Sequence, residues 1–296
     1  MPVEPVAIIG AGPAGLAAAI QLRRYGLAPL VFERAEVGGL LWNANLVENY
    51  PGFPGGIPGP ELVRRMVEQA RQHGVQVIRV EVKQLTYSGD RFTLLTEEQA
   101  VSCRVAVIAS GTRPRQFEGL GIPADLQDRV LYEVAPLLDA VGKRIAIVGA
   151  GDAAFDYALN LARNNTVCIL NRGERVKCLP LLWERASAAE RITYHPNWRV
   201  AAVEQHPEAG LRLACETPQG RAWLPADYLI GALGRLPQVD FFSPEFLEAA
   251  PQLQQQGLLY WIGDVRNGLY RQTAIAVGDG LRAAMQIHQH TKELHT

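Results

Sequence analysis

Cysteine is scarce in this chain of 296 residues, and the four that occur, Cys103, Cys168, Cys178 and Cys215, lie far apart. No Cys-x-x-Cys pair is present anywhere in the sequence. Small secreted domains held by disulfides and metal centres built from cysteine both need numerous or closely spaced cysteines. The sequence therefore argues against both classes of protein.

Charge of one sign is also lacking. The chain has 29 Lys and Arg against 30 Asp and Glu, which gives a formal net charge of −1 at pH 7. A general nucleic-acid-binding protein would show a basic surplus, and binding to an anionic membrane would need a polybasic segment. We therefore expect neither nucleic acid nor a membrane as a partner.

Long uninterrupted apolar runs are missing as well. The stretch from Val6 to Leu22 is uncharged, but its glycines and its proline make it too broken for a membrane-spanning helix. The residues before it carry no positive charge of the kind that begins a signal peptide. The sequence thus predicts a cytoplasmic protein.

A dinucleotide-binding pattern opens the chain. An apolar strand over residues 6–9 enters the glycine-rich turn 10–15, a helix follows over 16–24, and a second strand ends at Glu33. In this pattern the glycines allow a tight turn and a close approach of the backbone to a diphosphate, and the acid accepts hydrogen bonds from a ribose. The residues expected to hold the first dinucleotide are Gly10, Gly12, Pro13, Ala14, Gly15, Glu33 and Arg34.

The same pattern occurs a second time. A strand over residues 144–148 enters the turn Gly149-Ala150-Gly151-Asp152-Ala153-Ala154, and the next strand ends at Asn171-Arg172. A carboxylate at the position of Asn171 would repel a 2′-phosphate, whereas a neutral residue beside an arginine would tolerate or attract one. The second turn therefore favours NADPH over NADH.

Two further strand-and-turn segments, over residues 105–112 and 228–235, have the shape of crossings between two halves of the chain. The simplest topology is a first dinucleotide-binding domain over residues 1–112 and 231–296, with a second dinucleotide-binding domain over 115–228 inserted into it. The predicted fold class is α/β, with two Rossmann-like domains, the second inserted into the first.

Further motifs outside the two turns show a family resemblance. They are Gly38-Gly39-Leu40-Leu41-Trp42, the segment from Val47 to Pro54, Ala109-Ser110-Gly111-Thr112, Gly263-Asp264-Val265-Arg266 and Tyr270-Arg271-Gln272-Thr273-Ala274. Together with both turns, they resemble the low-molecular-weight thioredoxin reductase family over nearly the whole chain.

The resemblance implies FAD as the cofactor of the first domain. It places Asp264 at the flavin ribitol or the adjoining phosphate, Arg271 and Gln272 at the pyrimidine end of the ring, Asn49 near the ring, and Val82 where its backbone meets the adenine. Besides these five residues, the FAD positions implied are Gly39, Leu40, Ala109, Ser110, Gly111, Gly263 and Thr273.

The resemblance also implies an NADPH loop, but with altered residues. The family pattern of His-Arg-Arg and a later Arg appears here as Asn171-Arg172-Gly173 with Lys177 at the later position. The ammonium group of lysine is a point charge, whereas the planar guanidinium of arginine can form two parallel hydrogen bonds to a phosphate. We therefore expect this loop to bind the 2′-phosphate more weakly. The NAD(P) positions implied are Gly149, Gly151, Asp152, Ala153, Ala154, Asn171, Arg172, Lys177 and Gly231.

The largest departure concerns the redox centre. Members of the family carry a Cys-x-x-Cys-Asp motif before the second turn, and here Glu133 and Pro136 stand where its cysteines would be. Neither residue supports thiol–disulfide exchange, because that reaction needs a thiolate. We therefore expect no thioredoxin reduction by the cysteine mechanism, and no catalytic side chain beyond the flavin ring itself.

These observations predict an FAD-dependent NAD(P)H oxidoreductase that passes electrons from the flavin to ferredoxin, flavodoxin, a quinone or a free flavin. Two alternatives remain: a ferredoxin-dependent flavoprotein that does not use NAD(P)H, and a flavin-binding regulatory protein without turnover. The resemblance also implies a homodimer formed through the FAD domain. No metal is expected.

Overall fold

Strands and helices alternate along the chain. The computed structural model describes residues 6–88, 90–208 and 210–293, without the side chain of residue 293. The outermost residues of the predicted first domain, 1–5 and 294–296, lie outside that range. The strands are β1 (Val6–Ile9), β2 (Leu30–Glu33), β3 (Val77–Arg79), β4 (Gln84–Ser88), β5 (Arg91–Leu95), β6 (Ala100–Cys103), β7 (Val105–Ile108), β8 (Thr112–Pro114), β9 (Val130–Leu131), β10 (Arg144–Val148), β11 (Thr166–Asn171), β12 (Ile192–Pro196), β13 (Arg199–His206), β14 (Gly210–Thr217), β15 (Gly220–Ala226), β16 (Tyr228–Gly231), β17 (Arg235–Pro237) and β18 (Leu259–Trp261).

The α-helices connect these strands or cover the sheets. They are α1 (Pro13–Arg24), α2 (Gly59–Gln72), α3 (Asp152–Leu161), α4 (Pro180–Ala188), α5 (Pro244–Gln255) and α6 (Thr273–Glu293). Short 3-10 helices span Gly39–Asn43, Ala124–Arg129, Ala135–Leu137 and Gly263–Val265.

The described chain divides into two compact units. Unit 1 consists of Met1–Trp42, Val47–Arg113 and Leu236–Thr296, and unit 2 consists of Asn43–Leu46 and Pro114–Arg235. The second crossing therefore lies a few residues later than the sequence suggested, because β16 pairs with β10 inside unit 2. The sequence also gave no sign that residues 43–46 would group with unit 2.

Unit 1 is built on a parallel sheet with the strand order β18-β7-β1-β2-β3. The central strand β1 is buried along its whole length, and its Ile8 lies between Val31 on β2 and Val107 on β7. Strands buried on both sides in this way are apolar throughout, which is the pattern of a parallel sheet covered by helices. An antiparallel sheet of β4, β5 and β6 adds to this unit.

Unit 2 repeats the design. Its parallel sheet has the order β12-β11-β10-β16-β9, and an antiparallel sheet of β13, β14 and β15 adds to it. In each parallel sheet the first strand of the glycine pattern lies centrally, with the second strand of the pattern beside it. The two predicted Rossmann-like folds are thus confirmed.

Helices α1 and α6 of unit 1 pack with their backbones unusually close. A Cβ atom added to Gly280 on α6 would lie 2.3 Å from the carbonyl oxygen of Ala14 and 2.9 Å from the backbone nitrogen of Ala18. Only small residues face each other here, and Ala283 and Ala284 are buried on the same side of α6. The contact fixes the start of α1, and therefore the first glycine turn, against the C-terminal helix.

This contact predicts opposite effects for two glycines of one helix. We expect Gly280→Ala to lower the free energy of unfolding by about 1–3 kcal/mol, since neither backbone atom it would meet can move freely. Within its own subunit, an alanine at position 278 would meet no described atom within 4 Å, so helix propensity in Gly278→Ala should raise the stability of that subunit by about 1 kcal/mol or less. Denaturant unfolding of the purified protein measures both, and equal stabilities for the two variants would contradict this packing.

Candidate nucleotide-binding sites

The first glycine turn requires glycine for steric reasons at two positions. Gly10 has φ of +107°, and a Cβ there would lie 2.2 Å from the carbonyl oxygen of Ala109. A Cβ on Gly15 would lie 1.9 Å from the carbonyl oxygen of Gly10. These two residues let β1, α1 and the end of β7 come together.

Gly12 is different, because it faces open space. Its φ of −75° suits any residue, and no atom of the described structure lies within 4 Å of an added Cβ. It is the N-cap of α1, and no side chain caps the helix. The unbonded N–H groups at a helix N-terminus attract a diphosphate. A space that a Cβ would fill, in front of these N–H groups, fits the diphosphate of FAD.

Glu33 ends β2 beside this turn, as predicted. Its Oε2 accepts a hydrogen bond from the backbone N–H of Ala11 at 2.8 Å, and its Oε1 accepts one from Ala35 at 2.9 Å. A carboxylate has about four acceptor positions, so two are left for a ribose. Arg34 lies further out, 3.8 Å from Glu81 on an exposed surface.

The predicted flavin-ring residues meet in unit 1. The Nδ2 of Asn49 donates a hydrogen bond of 2.8 Å to the Oε1 of Gln272, although the two are far apart in the sequence. Gly263 has φ of +70°, and its Cβ would lie 2.8 Å from the Cβ of Ala14. The segment Gly263–Val265, which includes Asp264, therefore packs directly against the first turn.

Asp279 is a residue that sequence reasoning missed. Its Oδ2 accepts hydrogen bonds from the backbone N–H of Gly263 at 3.1 Å and from the Nδ2 of Asn267 at 2.6 Å. It thereby fixes the turn that presents Asp264. The only signal in the sequence was a single acid within an otherwise apolar stretch of α6.

The remaining predicted FAD positions also lie in unit 1. Ala109, Ser110 and Gly111 follow β7, and the Ser110 hydroxyl donates to the carbonyl oxygen of Gln238 at 2.7 Å. Val82 is buried and lies between β3 and β4. The others are Gly39 and Leu40 in the first 3-10 helix, the half-buried Arg271, and Thr273 at the first position of α6.

The second glycine turn also combines one glycine that is required sterically with one that faces open space. Gly149 has φ of +154°, and its Cβ would lie 2.6 Å from the carbonyl oxygen of Ala232. Gly151 is the N-cap of α3 and no side chain caps the helix, and among the described residues no atom lies within 4 Å of a Cβ added to Gly151. Ala154 is fully buried, and Ala153 is exposed. This turn also fits a diphosphate.

Two other predicted NAD(P) positions have structural partners. The Oδ1 of Asp152 accepts a hydrogen bond from the backbone N–H of Leu179 at 2.8 Å. Gly231 ends β16, and its Cβ would lie 2.8 Å from the ring of Tyr132. Gly231 thus lies in unit 2, together with the other NAD(P) positions.

The loop after β11 carries the predicted 2′-phosphate residues. Arg172 and Lys177 are exposed, and the backbone N–H of Lys177 donates to the carbonyl oxygen of Ala150 in the glycine turn at 2.8 Å. Asn171, by contrast, is only 7% exposed. Its amide makes hydrogen bonds within the protein, so it does not point freely at a nucleotide.

Glu133, which the resemblance places at a redox-cysteine position, forms an ion pair. The Nη2 of Arg235 donates to the Oε1 of Glu133 at 3.0 Å, and Arg235 is only 18% exposed. The Oδ1 of Asn43 accepts hydrogen bonds from the backbone N–H groups of Val134 and Ala135, both at 2.9 Å. Pro136 is exposed at the following position.

The segment Asn43–Leu46 is held a second time, on α3. The backbone N–H of Asn45 donates to the Oδ2 of Asp156 at 2.8 Å, and Arg163 donates to the Oδ1 of Asn45. Burial raises the pKa of Asp156 to about 6, against the lowering effect of the N–H groups of Asn45 and Leu46 and of Arg163. These bonds explain why this short segment groups with unit 2.

None of the four cysteines forms a disulfide. Cys103 and Cys215 are fully buried, and burial raises the pKa of Cys168 to about 12. The pKa of Cys178 is also raised, by burial and by the carboxylate of Asp152. Within the described residues, no group of His, Cys, Asp and Glu is arranged to hold a metal ion, and no helix is both long and apolar enough to span a membrane.

Two parallel sheets, each with a glycine turn and an uncapped helix N-terminus at the end of its central strand, define a protein with two dinucleotide-binding units. The family model described as pyridine nucleotide-disulphide oxidoreductase matches residues 4–280. The chain belongs to this family, whose members are oxidoreductases that bind FAD and NAD(P)H.

Individual relatives agree with this assignment. A thioredoxin reductase of Streptomyces coelicolor is 34% identical over 299 residues, covering 96% of this chain and 92% of that protein. The crystal structure of Lactococcus lactis thioredoxin reductase in its FR conformation matches with a TM-score of 0.85 at 26% identity, covering 98% of this chain and 99% of that one. The bacillithiol disulfide reductase Bdr (YpdA) of Staphylococcus aureus matches with a TM-score of 0.74 at 20% identity over the full length of both chains, a likeness of fold alone.

The two open glycines predict separable losses. Gly12→Val should leave the fold intact but fill the diphosphate space at α1, so the purified protein should carry little FAD. Gly151→Val should keep its FAD and lose its affinity for NADPH. The ratio of flavin absorbance to protein, and calorimetric titration with NADP⁺, measure the two effects. Normal FAD content in Gly12→Val would contradict the assignment of the first turn.

Proposed function

We propose that the protein is an FAD-dependent NAD(P)H oxidoreductase that prefers NADPH and passes electrons from the flavin directly to an acceptor other than a disulfide. One observation supports this proposal: Glu133, which the resemblance places at a redox-cysteine position, is held in an ion pair by Arg235. A carboxylate held by a guanidinium neither accepts nor relays electrons.

No other thiol of the chain is suited to replace the missing pair. Nucleophilic attack on a disulfide needs an accessible thiolate, which a raised pKa and burial both disfavour. Cys103 and Cys215 are fully buried, and the pKa values of Cys168 and Cys178 are raised. The acceptor classes that remain are ferredoxin, flavodoxin, quinones and free flavins.

The side chains of both units are suited to binding and orientation. When bound, FAD accepts a hydride from a nicotinamide and releases electrons singly or in pairs, so the protein needs no acid–base pair for that step. In unit 1 the open N-terminus of α1 would bind the diphosphate, Glu33 the ribose, and the Asn49–Gln272 pair the ring. In unit 2 the N-terminus of α3 would bind the second diphosphate.

The preference for NADPH is supported by charge. Arg172 and Lys177 are exposed next to the second turn, and β11 ends in neutral Asn171 where NAD-dependent proteins of this pattern have an acid. The two cations beside the second turn outnumber the single acid of the loop, Glu174, and suit a 2′-phosphate.

An anaerobic titration tests the proposal. The purified, FAD-loaded protein should lose its flavin absorbance rapidly with NADPH and much more slowly with NADH. A Cys178→Ser variant is the matched control and should behave like the wild type, both in bleaching and in reoxidation by a quinone or a free flavin. Absence of bleaching by either nucleotide would refute the proposal, and so would loss of turnover in Cys178→Ser.

We also propose that the protein forms a homodimer through α6 of unit 1. Ile275, Leu281 and Met285 are 39%, 39% and 51% exposed. Their spacing places them on one face of the helix, opposite the face that packs on α1. An exposed apolar stripe of this kind suits contact with a second copy.

The dimer proposal has a direct test. Met285→Glu should shift the FAD-loaded protein from dimer to monomer in analytical ultracentrifugation, because a charge would be buried in the interface. Leu247→Glu, which changes a similarly exposed apolar residue on α5, is the control and should stay dimeric. A monomeric wild type at all concentrations would contradict the proposal.

A further inference from the structure

Backbone hydrogen bonds hold the loop from Asn171 to Lys177 in unit 2 at both ends and in its middle. The carbonyl oxygen of Asn171 accepts a hydrogen bond from the N–H of Trp198 at 2.9 Å, and that of Gly173 accepts one from Asn197 at 3.0 Å. The N–H of Lys177 donates to Ala150 in the glycine turn at 2.8 Å. The loop is therefore held in one conformation beside the N-terminus of α3.

The side-chain amide of Asn171 makes three further hydrogen bonds that hold the loop. Its Nδ2 donates to the carbonyl oxygen of Arg175 at 3.2 Å and to the hydroxyl of Tyr194 at 2.9 Å, and its Oδ1 accepts from the N–H of Gly173 at 3.1 Å. Both donors of the amide are thus used. A carboxylate here would face the carbonyl oxygen of Arg175 without a donor, so the neutral amide has a structural reason of its own.

Tyr194 links Asn171 to a fixed point in the core. Its ring packs edge-on against Trp183 of α4 with centroids 5.1 Å apart, and lies 5.9 Å from the ring of Phe155 on α3. Phe155 is fully buried. The position of the Arg175 backbone is therefore set, through Asn171, by an aromatic cluster that joins two helices of unit 2.

The loop presents three cationic side chains. Arg172, Arg175 and Lys177 are all exposed, and within the part of the chain that the structure describes none of them forms an ion pair. Only Glu174, also exposed, opposes them in the loop. Three cations on a fixed loop, at the end of β11 and beside the glycine turn, form a site for a dianion such as a phosphate monoester.

We propose that Arg175 is a specificity-determining residue that binds the 2′-phosphate of the nucleotide, and that Asn171 is the positioning residue that holds it. This inference rests on the proposed use of NADPH. Gly173 occupies the position of the second arginine of the NADPH pattern, and Arg175 supplies a second guanidinium from two residues further along. Asn171 acts on the nucleotide only through the backbone of Arg175 and the N–H of Gly173.

Calorimetry on the FAD-loaded protein tests the inference with two probes, adenosine 2′,5′-bisphosphate and adenosine 5′-monophosphate, which differ only in the 2′-phosphate. Arg175→Ala should weaken binding of the bisphosphate by about 10-fold or more, the effect of losing one charge-assisted hydrogen bond, and leave the monophosphate unchanged. Arg221→Ala on β15, an exposed arginine outside the loop, is the charge-matched control and should change neither.

A double-mutant cycle separates positioning from general stability. Asn171→Ala should also weaken the bisphosphate selectively, and should add little in an Arg175→Ala background, because it acts through that residue. Tyr194→Phe, which keeps the ring and loses the acceptor, should produce a smaller loss of the same kind. Additive losses in the Asn171→Ala/Arg175→Ala variant would overturn the positioning role.

The outcomes also distinguish this inference from the proposed function. If NADPH bleaches the flavin and the wild type prefers the bisphosphate, but Arg175→Ala binds it as well as the wild type does, only the role of Arg175 is overturned. If the wild type binds both probes equally, the preference for NADPH and the role of Arg175 are refuted together. Reduction of the flavin by either nucleotide would then still support an oxidoreductase.

Discussion

The structure depends first on close backbone-to-backbone contact at the two glycine turns. In unit 1, atoms of the turn, of the end of β7 and of α1 approach within a distance that excludes any side chain at Gly10 and Gly15. The C-terminal part of the chain has the same requirement. Gly280 packs α6 on α1 and Gly263 packs on Ala14, and neither position leaves room for a Cβ atom. The same packing leaves the N-terminus of α1 uncapped and open at Gly12, the place where we propose that the diphosphate binds.

Unit 2 uses the same arrangement but ends its second strand differently. In unit 1 the acid Glu33 bonds to the backbone of the turn and has acceptors left for a ribose. In unit 2 the corresponding Asn171 is turned inward, towards its own loop and Tyr194. A carboxylate suits a hydroxyl partner, whereas a buried amide with satisfied donors organises a loop. The two units therefore share an open, uncapped helix N-terminus at the glycine turn and differ in the residue that ends the second strand.

In the segment where the resemblance implies redox cysteines, the structure has polar contacts instead. Glu133 pairs with Arg235, and Asn43 binds the backbone at Val134 and Ala135. Each of these contacts joins segments that are distant in the sequence, and none of them has redox chemistry. The family fold is thus retained without the side chains that define its disulfide chemistry, which is why the proposed acceptor is not a disulfide.

The sequence by itself determined the two parallel sheets, the glycine turns and the carboxylate at Glu33, because each depends on residues that are close together along the chain. It also determined the lack of a cysteine pair, which needs no structure. Only the tertiary structure decided that residues 43–46 group with unit 2, that Asp279 fixes the turn at Gly263, and that Asn171 faces inward. These features depend on contacts between residues remote in sequence, and neither hydrophobic period nor local motif encodes which distant backbone group a polar side chain will meet.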